Sequence, residues 1–139
     1  MGLATLLGNR ILDVWMHGQD IRRAVDRPGA MDTAAAHHTC AVFARAFLYS
    51  VGKRVAPPDG TTVLLDVEGE PPIRVTATMR DGRAVPGEQE LDPTVRLSMG
   101  RDAFVMLAGG RRPPDRIGVG VSGDRDLAAR VLAAMAVTP

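Results

Sequence analysis

Apolar positions recur at helical spacing from the start of the chain. Leu3, Leu7, Ile11, Val14, Ile21 and Val25 form one stripe when projected at about 100° per residue. The pattern predicts an amphipathic helix over residues 3 to 25. It should end before Arg27-Pro28-Gly29, because a residue preceding proline avoids the α region. Arg10, Asp13, His17 and Asp20 make a second stripe on its flank, half-buried if the helix packs in a bundle. Asp32 or Thr33 is a good N-cap for a second helix from about Ala34 to Lys53. Its buried face is expected to hold Cys40, Phe43, Ala44, Phe47, Leu48 and Val51. Pro57-Pro58-Asp59-Gly60 then breaks the helix.

Beyond the breaker the period drops to two. Val63, Leu65 and Val67 alternate with Leu64, Asp66 and Glu68, and Ile73, Val75, Ala77 and Met79 alternate with Arg74, Thr76, Thr78 and Arg80. Asp81-Gly82 is a type I′ hairpin signal leading into a weak strand at Arg83 to Pro86. Val95, Leu97 and Met99 mark a fourth strand. A short helix follows from Arg101 to Ala108, stopped by Gly109-Gly110. Ile117, Val119 and Val121 mark a fifth strand. Asp124 caps a last helix with Leu127, Val131, Leu132 and Met135 inward. The order predicts an α+β fold. One mostly antiparallel or mixed sheet of about five strands carries helices on one face, preceded by an orphan amphipathic helix.

Composition narrows the function classes. The chain has 139 residues, 45% hydrophobic and 24% charged, with a net charge of +1. That suits a globular domain and provides no field to favour nucleic acid or an anionic membrane. Arg111-Arg112 has no aromatic companions, which also argues against nucleic acid. No apolar run approaches the ~20 residues that span a bilayer. The single cysteine, Cys40, excludes an intramolecular disulfide and makes a reducing cytoplasm the default location. Helical periodicity is under way by Leu3, as expected of a chain cut from something longer.

Asp13 and His17 lie one turn apart, the minimum geometry for two side chains to reach one divalent metal. The competing reading is an i, i+4 ion pair worth a few tenths of a kcal/mol. Asp20, Gln19 and Arg10 are candidates to orient the ligands. Arg22 and Arg23 suit the negative end of the helix dipole, or an acidic substrate or cofactor. His37 and Cys40 have i, i+3 spacing, but Cys40 falls on the apolar face, where a free thiol behaves as a small hydrophobe. Gly118-Val-Gly-Val-Ser-Gly123 matches G-x-G-x-x-G with its glycines inside a strand, the wrong context for a dinucleotide site. Small residues there are expected to let a helix approach or to leave room for a ligand.

At Asp13-Val-Trp-Met-His17-Gly-Gln-Asp20-Ile-Arg-Arg23 the sequence resembles the actinobacterial mycothiol-dependent maleylpyruvate isomerase-like proteins. In these a DinB-like four-helix bundle precedes a domain similar to sterol carrier protein type 2. The tail is similar to that second domain at Leu97-Ser-Met-Gly-Arg-Asp-Ala-Phe-Val-Met-Leu-Ala-Gly-Gly-Arg111 and at Val119 to Leu132. The resemblance implies residues 1–30 as the last helix of a truncated metal-binding bundle and residues 31–139 as the carrier-like domain. It implies Asp13, where the best-known members carry Glu, and His17 as metal ligands. It also implies a divalent metal, zinc first, and mycothiol as cofactors, with Arg22 and Arg23 as candidates for binding the thiol. The implied function is metal activation of a thiol for attack on an electrophilic substrate, in an isomerase or transferase. Two other classes stand beside it. One is a non-enzymatic domain holding an apolar small molecule over the sheet, near Phe104, Leu107, Val119 and Val131. The other is a dimerisation scaffold using the helix of residues 3 to 25.

Overall fold

The computed structural model describes residues 1–88 and 92–138. Pro139, the expected end of the second domain, lies outside them. The chain packs as two compact units, Met1–Val42 and Phe43–Pro139.

The first unit holds helix α1 (Leu3–Ala24) and the first half of helix α2 (Ala34–Tyr49). The periodicity placed α1 correctly, but its buried face is not the Leu3–Val25 stripe. Leu12, Trp15, Met16 and Gln19 are buried, while Leu3, Leu7, Ile11, Val14, Ile21 and Val25 are exposed. The helix carries apolar residues on two faces, and the one with Trp15 goes inward. The link to α2 is tied down by side chains. Trp15 Nε1 donates to the Ala30 carbonyl at 3.0 Å, and Gln19 Nε2 to that of Gly29 at 2.9 Å. Thr33 is the α2 cap: its hydroxyl accepts from the Ala36 N–H at 3.2 Å.

The second unit begins at Phe43, inside α2. The α geometry expected to run to Lys53 stops at Tyr49 and widens into a π-helical segment, Ser50–Val55. Gly52 in that segment lies against Ala84. A Cβ there would come within 2.8 Å of the Ala84 nitrogen, so the approach needs glycine. The sheet follows as β1 (Thr62–Glu68), β2 (Ile73–Arg80), β3 (Arg83–Pro86), β4 (Val95–Gly100) and β5 (Gly120–Gly123), in spatial order β3-β2-β1-β4-β5. The β1–β4 pair is parallel and the other pairs are antiparallel, so the sheet is mixed. Asp81 and Gly82 both have positive φ, as a type I′ turn requires.

Register aligns the apolar alternation of three strands. Leu65 sits opposite Val75 on one side and Leu97 on the other, while Val63 sits opposite Ala77 and Val95. This face is buried, and helices α3 (Arg101–Ala108) and α4 (Arg125–Ala134) pack on the sheet. Phe104 of α3 meets Phe43 of α2 edge to face, with ring centroids 6.2 Å apart. Asp124 caps α4, its carboxylate accepting from the Leu127 N–H at 3.0 Å. Arg54 donates to the Ala134 and Ala136 carbonyls, closing the far end of α4 onto the π segment. The other sheet face is mixed. Asp66 pairs with Arg74 at 3.3 Å, yet Leu64 beside it is fully buried.

The fifth strand is shorter than expected. Ile117 and Val119 precede it: pairing with β4 ends at Ser98–Gly120, although β4 itself continues to Gly100 against β1. The G-x-G-x-x-G match is thereby explained without a nucleotide. The neighbour that its glycines admit is strand β4, not a helix. A Cβ on Gly120 would meet the Ser98 hydroxyl at 2.4 Å, and one on Gly123 the Thr94 carbonyl at 2.2 Å, with φ at +91°. Gly123→Ala should therefore lower stability by about 2 kcal/mol or more through backbone strain and the clash. Urea unfolding checks this, and an unchanged midpoint would contradict the strand register.

Candidate functional site

The candidate site lies on α1, and the buried Trp15 face decides which way it points. Asp13 and His17 project to the opposite side and are exposed. No hydrogen bond or ion pair joins them. The carboxylate nearest His17 is that of Asp20, with Oδ2 at 3.8 Å from Nδ1; the two side chains are 38% and 74% exposed. Of the three side chains the sequence offered beside the pair, Asp20 is the one near His17. Gln19 is not: it is buried on the far side of the helix, donating to Gly29. Arg10 is exposed.

The donors border a large apolar surface. Leu3, Leu6, Leu7, Ile11, Val14, Ile21 and Val25 are between 43% and 71% exposed. On a helical projection they occupy the arc next to Asp13 and His17. A shallow hollow of about 390 Å³, lined by Arg10, Ile11, Val14, Trp15 and Ala35, runs along this surface. Among the described residues, no three His, Cys, Asp or Glu side chains gather into a metal-sized cluster. Asp13 and His17 present an oxygen and a ring nitrogen one turn apart, and a metal held there would need at least one further donor.

The other candidates separate. Arg22 and Arg23 occupy the last turn of α1. Arg22 is exposed, with Nη1 3.5 Å from the Arg27 carbonyl, and Arg23 is half-buried. On α2, His37 is exposed and Cys40 is buried. His38, adjacent to that pair, hydrogen-bonds through Nε2 to the Gly8 carbonyl at 3.0 Å, which gives it a structural partner. Phe104, Leu107 and Val131 are buried in the core of the second unit, with Val119 half-buried at its edge. No helix among the described residues is long and apolar enough to cross a membrane.

Stability measurements distinguish the two faces of α1. Gln19→Ala should cost about 1–3 kcal/mol, because it removes a buried hydrogen bond and leaves the Gly29 carbonyl without its donor. Asp13→Ala and His17→Ala should each stay within about 0.5 kcal/mol of the parent, as exposed positions do. Chemical denaturation of the three variants tests the assignment. A large loss in His17→Ala would mean that His17 is structural.

Comparison with known proteins adds the following. No curated protein sequence matches. Two solved structures are similar in fold at low identity. Sterol carrier protein 2 from Yarrowia lipolytica, in its apo form, has 13% identity and a TM-score of 0.49, covering 70% of this chain and 88% of that one. Sterol carrier protein 2 like 2 from Aedes aegypti has 15% identity and a TM-score of 0.48, covering 67% and 96%. A family model, the MDMPI C-terminal domain, matches residues 37–130, running from α2 through the sheet into α4 and beginning after α1. With two thirds of its length inside that match, the chain belongs to the MDMPI C-terminal domain family.

Proposed function

We propose that this chain is the C-terminal portion of a mycothiol-dependent, metal-using isomerase or transferase, in which Asp13 and His17 are two ligands of a divalent metal. The observation that carries the reading is the pairing of a family-typical C-terminal domain with a helix that turns an Asp-x-x-x-His pair outward beside an uncovered apolar stripe. An exposed ion pair needs no such stripe, whereas ligands of a composite site need a covering element.

The roles follow from side-chain chemistry. His17 offers a neutral ring nitrogen, and Asp13 offers a carboxylate oxygen. Asp20, whose Oδ2 stands 3.8 Å from Nδ1, would orient the imidazole by moving within hydrogen-bond distance of that nitrogen. A divalent cation held there would supply a thiolate at neutral pH by lowering the pKa of a bound thiol. Arg22, five residues beyond His17, would offer a cation to the carboxylates of a thiol cofactor or an acidic substrate. Arg23, half-buried, contributes its charge to the same end of the helix. The substrate class is then an electrophilic carbon open to a sulfur nucleophile, as in a conjugated unsaturated acid.

Calorimetric zinc titration of the full chain and of Asp13→Ala and His17→Ala tests the ligand roles. The parent should bind zinc, and each substitution should weaken binding at least tenfold, about 1.4 kcal/mol. Adding a low-molecular-weight thiol to the cobalt-loaded parent should produce a near-ultraviolet sulfur-to-metal band. Equal, weak binding in all three proteins would overturn the reading.

A further inference from the structure

We infer that the hollow beside the π segment binds a small aromatic carboxylate, with its ring against Tyr49 and its anionic group between Lys53 and Arg83. The site lies within the second unit and stands apart from the reading of Asp13 and His17.

Tyr49 is the first observation. Phe43, Phe47, Phe104 and Trp15 are buried, while Tyr49, the remaining aromatic residue of the chain, is 57% exposed. The change from α to π geometry after Tyr49 sets it there. Ser50, Val51 and Gly52 are buried in succession, and Tyr49 and Lys53 flank them on the surface. Widened turns of this kind recur at functional sites. The ring is also held in place. The Arg54 guanidinium lies over it, 5.9 Å from the centroid, and Arg54 is itself anchored to the Ala134 and Ala136 carbonyls. A ring fixed before the ligand arrives loses little freedom on binding.

The lining specifies the rest of the ligand. The hollow measures about 340 Å³ and is lined by Leu48, Tyr49, Gly52, Lys53, Arg83 and Ala84. Apolar groups and an aromatic ring thus stand beside two cations, with no acid in the lining. Among the described residues neither Lys53 nor Arg83 forms an ion pair. Asp59, beside the same hairpin, accepts from the Gly82 N–H at 2.9 Å. Arg83 faces Arg80 across the β2–β3 register, a like-charge pair that costs stability and that a bound anion relieves. The Arg83 fork suits a carboxylate held by two parallel hydrogen bonds. The volume is at the small end for a ligand site, with room for about one or two fused rings and not for a chain segment.

Naphthoate titrated into the full chain and followed by NMR tests this. Tyr49 is the single tyrosine and Trp15 the single tryptophan, so each ring reports without overlap. The expected result is a saturable upfield shift of the Tyr49 ring protons. The Gly52, Lys53 and Ala84 amides should move with it, and the Trp15 indole should not. Neutral naphthylmethanol should bind about tenfold more weakly, and Lys53→Gln and Arg83→Gln should each weaken naphthoate about threefold, as exposed ion pairs do. Tyr49→Leu, followed at the amides, should weaken it about fivefold through lost ring contact. All three positions are exposed, and unchanged amide shifts outside the hollow confirm that the variants fold. A Tyr49 ring that naphthoate leaves unmoved, naphthylmethanol binding as tightly as naphthoate, or inorganic phosphate matching naphthoate would each overturn the inference. None of these outcomes bears on zinc binding at α1.

Discussion

The orientation of α1 is the constraint on which the functional account depends. A 22-residue helix with apolar residues on two faces can bury only one of them. Trp15 decides which. Its indole and the Gln19 amide both find carbonyl partners in the segment that follows the helix, at Ala30 and Gly29. Those partners spare the indole and the amide the cost, on the order of 1–3 kcal/mol, of being buried unpaired, so the Trp15 face can go inward. Leu3, Leu7, Val14 and Ile21 must then face out, and Asp13 and His17 go with them. The exposed stripe and the exposed donors have one cause.

The second unit is self-consistent in a different way. Its sheet is organised around β1, which pairs with β2 antiparallel and with β4 in parallel, so that Val63, Leu65 and Val67 sit between two aligned apolar rows. Close approaches at Gly52, Gly120 and Gly123 let the backbone cross or pair where any side chain would collide. The Phe43–Phe104 contact and the Arg54 hydrogen bonds to Ala134 and Ala136 link α2, the π segment, α3 and the end of α4. These residues build a domain. The proposed ligands Asp13 and His17 stand on α1, which precedes the matched region.

Local signals in the sequence survived intact where the physics is local. The Asp81-Gly82 turn, the Asp124 cap, the Thr33 cap and the bounds of α3 depend on neighbours a few residues away. What the sequence hid is tertiary. Periodicity picked out the Leu3–Val25 stripe and missed the Trp15 face, whose partners Ala30 and Gly29 lie beyond the helix. The shortened β5 departs from β4 after the Ser98–Gly120 pair, a tertiary choice that alternation does not encode. The π segment reflects the nearness of Ala84 to Gly52. Of the site, the Asp13–His17 spacing was legible, as was Asp20 beside it. Gln19 was misread, because a polar residue one turn from a ligand looks the same whether it points to the site or into the core.

Together these features describe a family-typical α+β domain preceded by a helix whose outer face is apolar and exposed. The proposed role of Asp13 and His17 as metal ligands turns on whether zinc binds at that face. Two-dimensional amide and imidazole NMR of the full chain during zinc addition addresses this most directly. The account predicts selective shifts or broadening at His17 and at the outward positions from Arg10 to Ile21, with Trp15 and Gln19 little changed. Changes centred on His37, His38 and Cys40, with α1 silent, would contradict it.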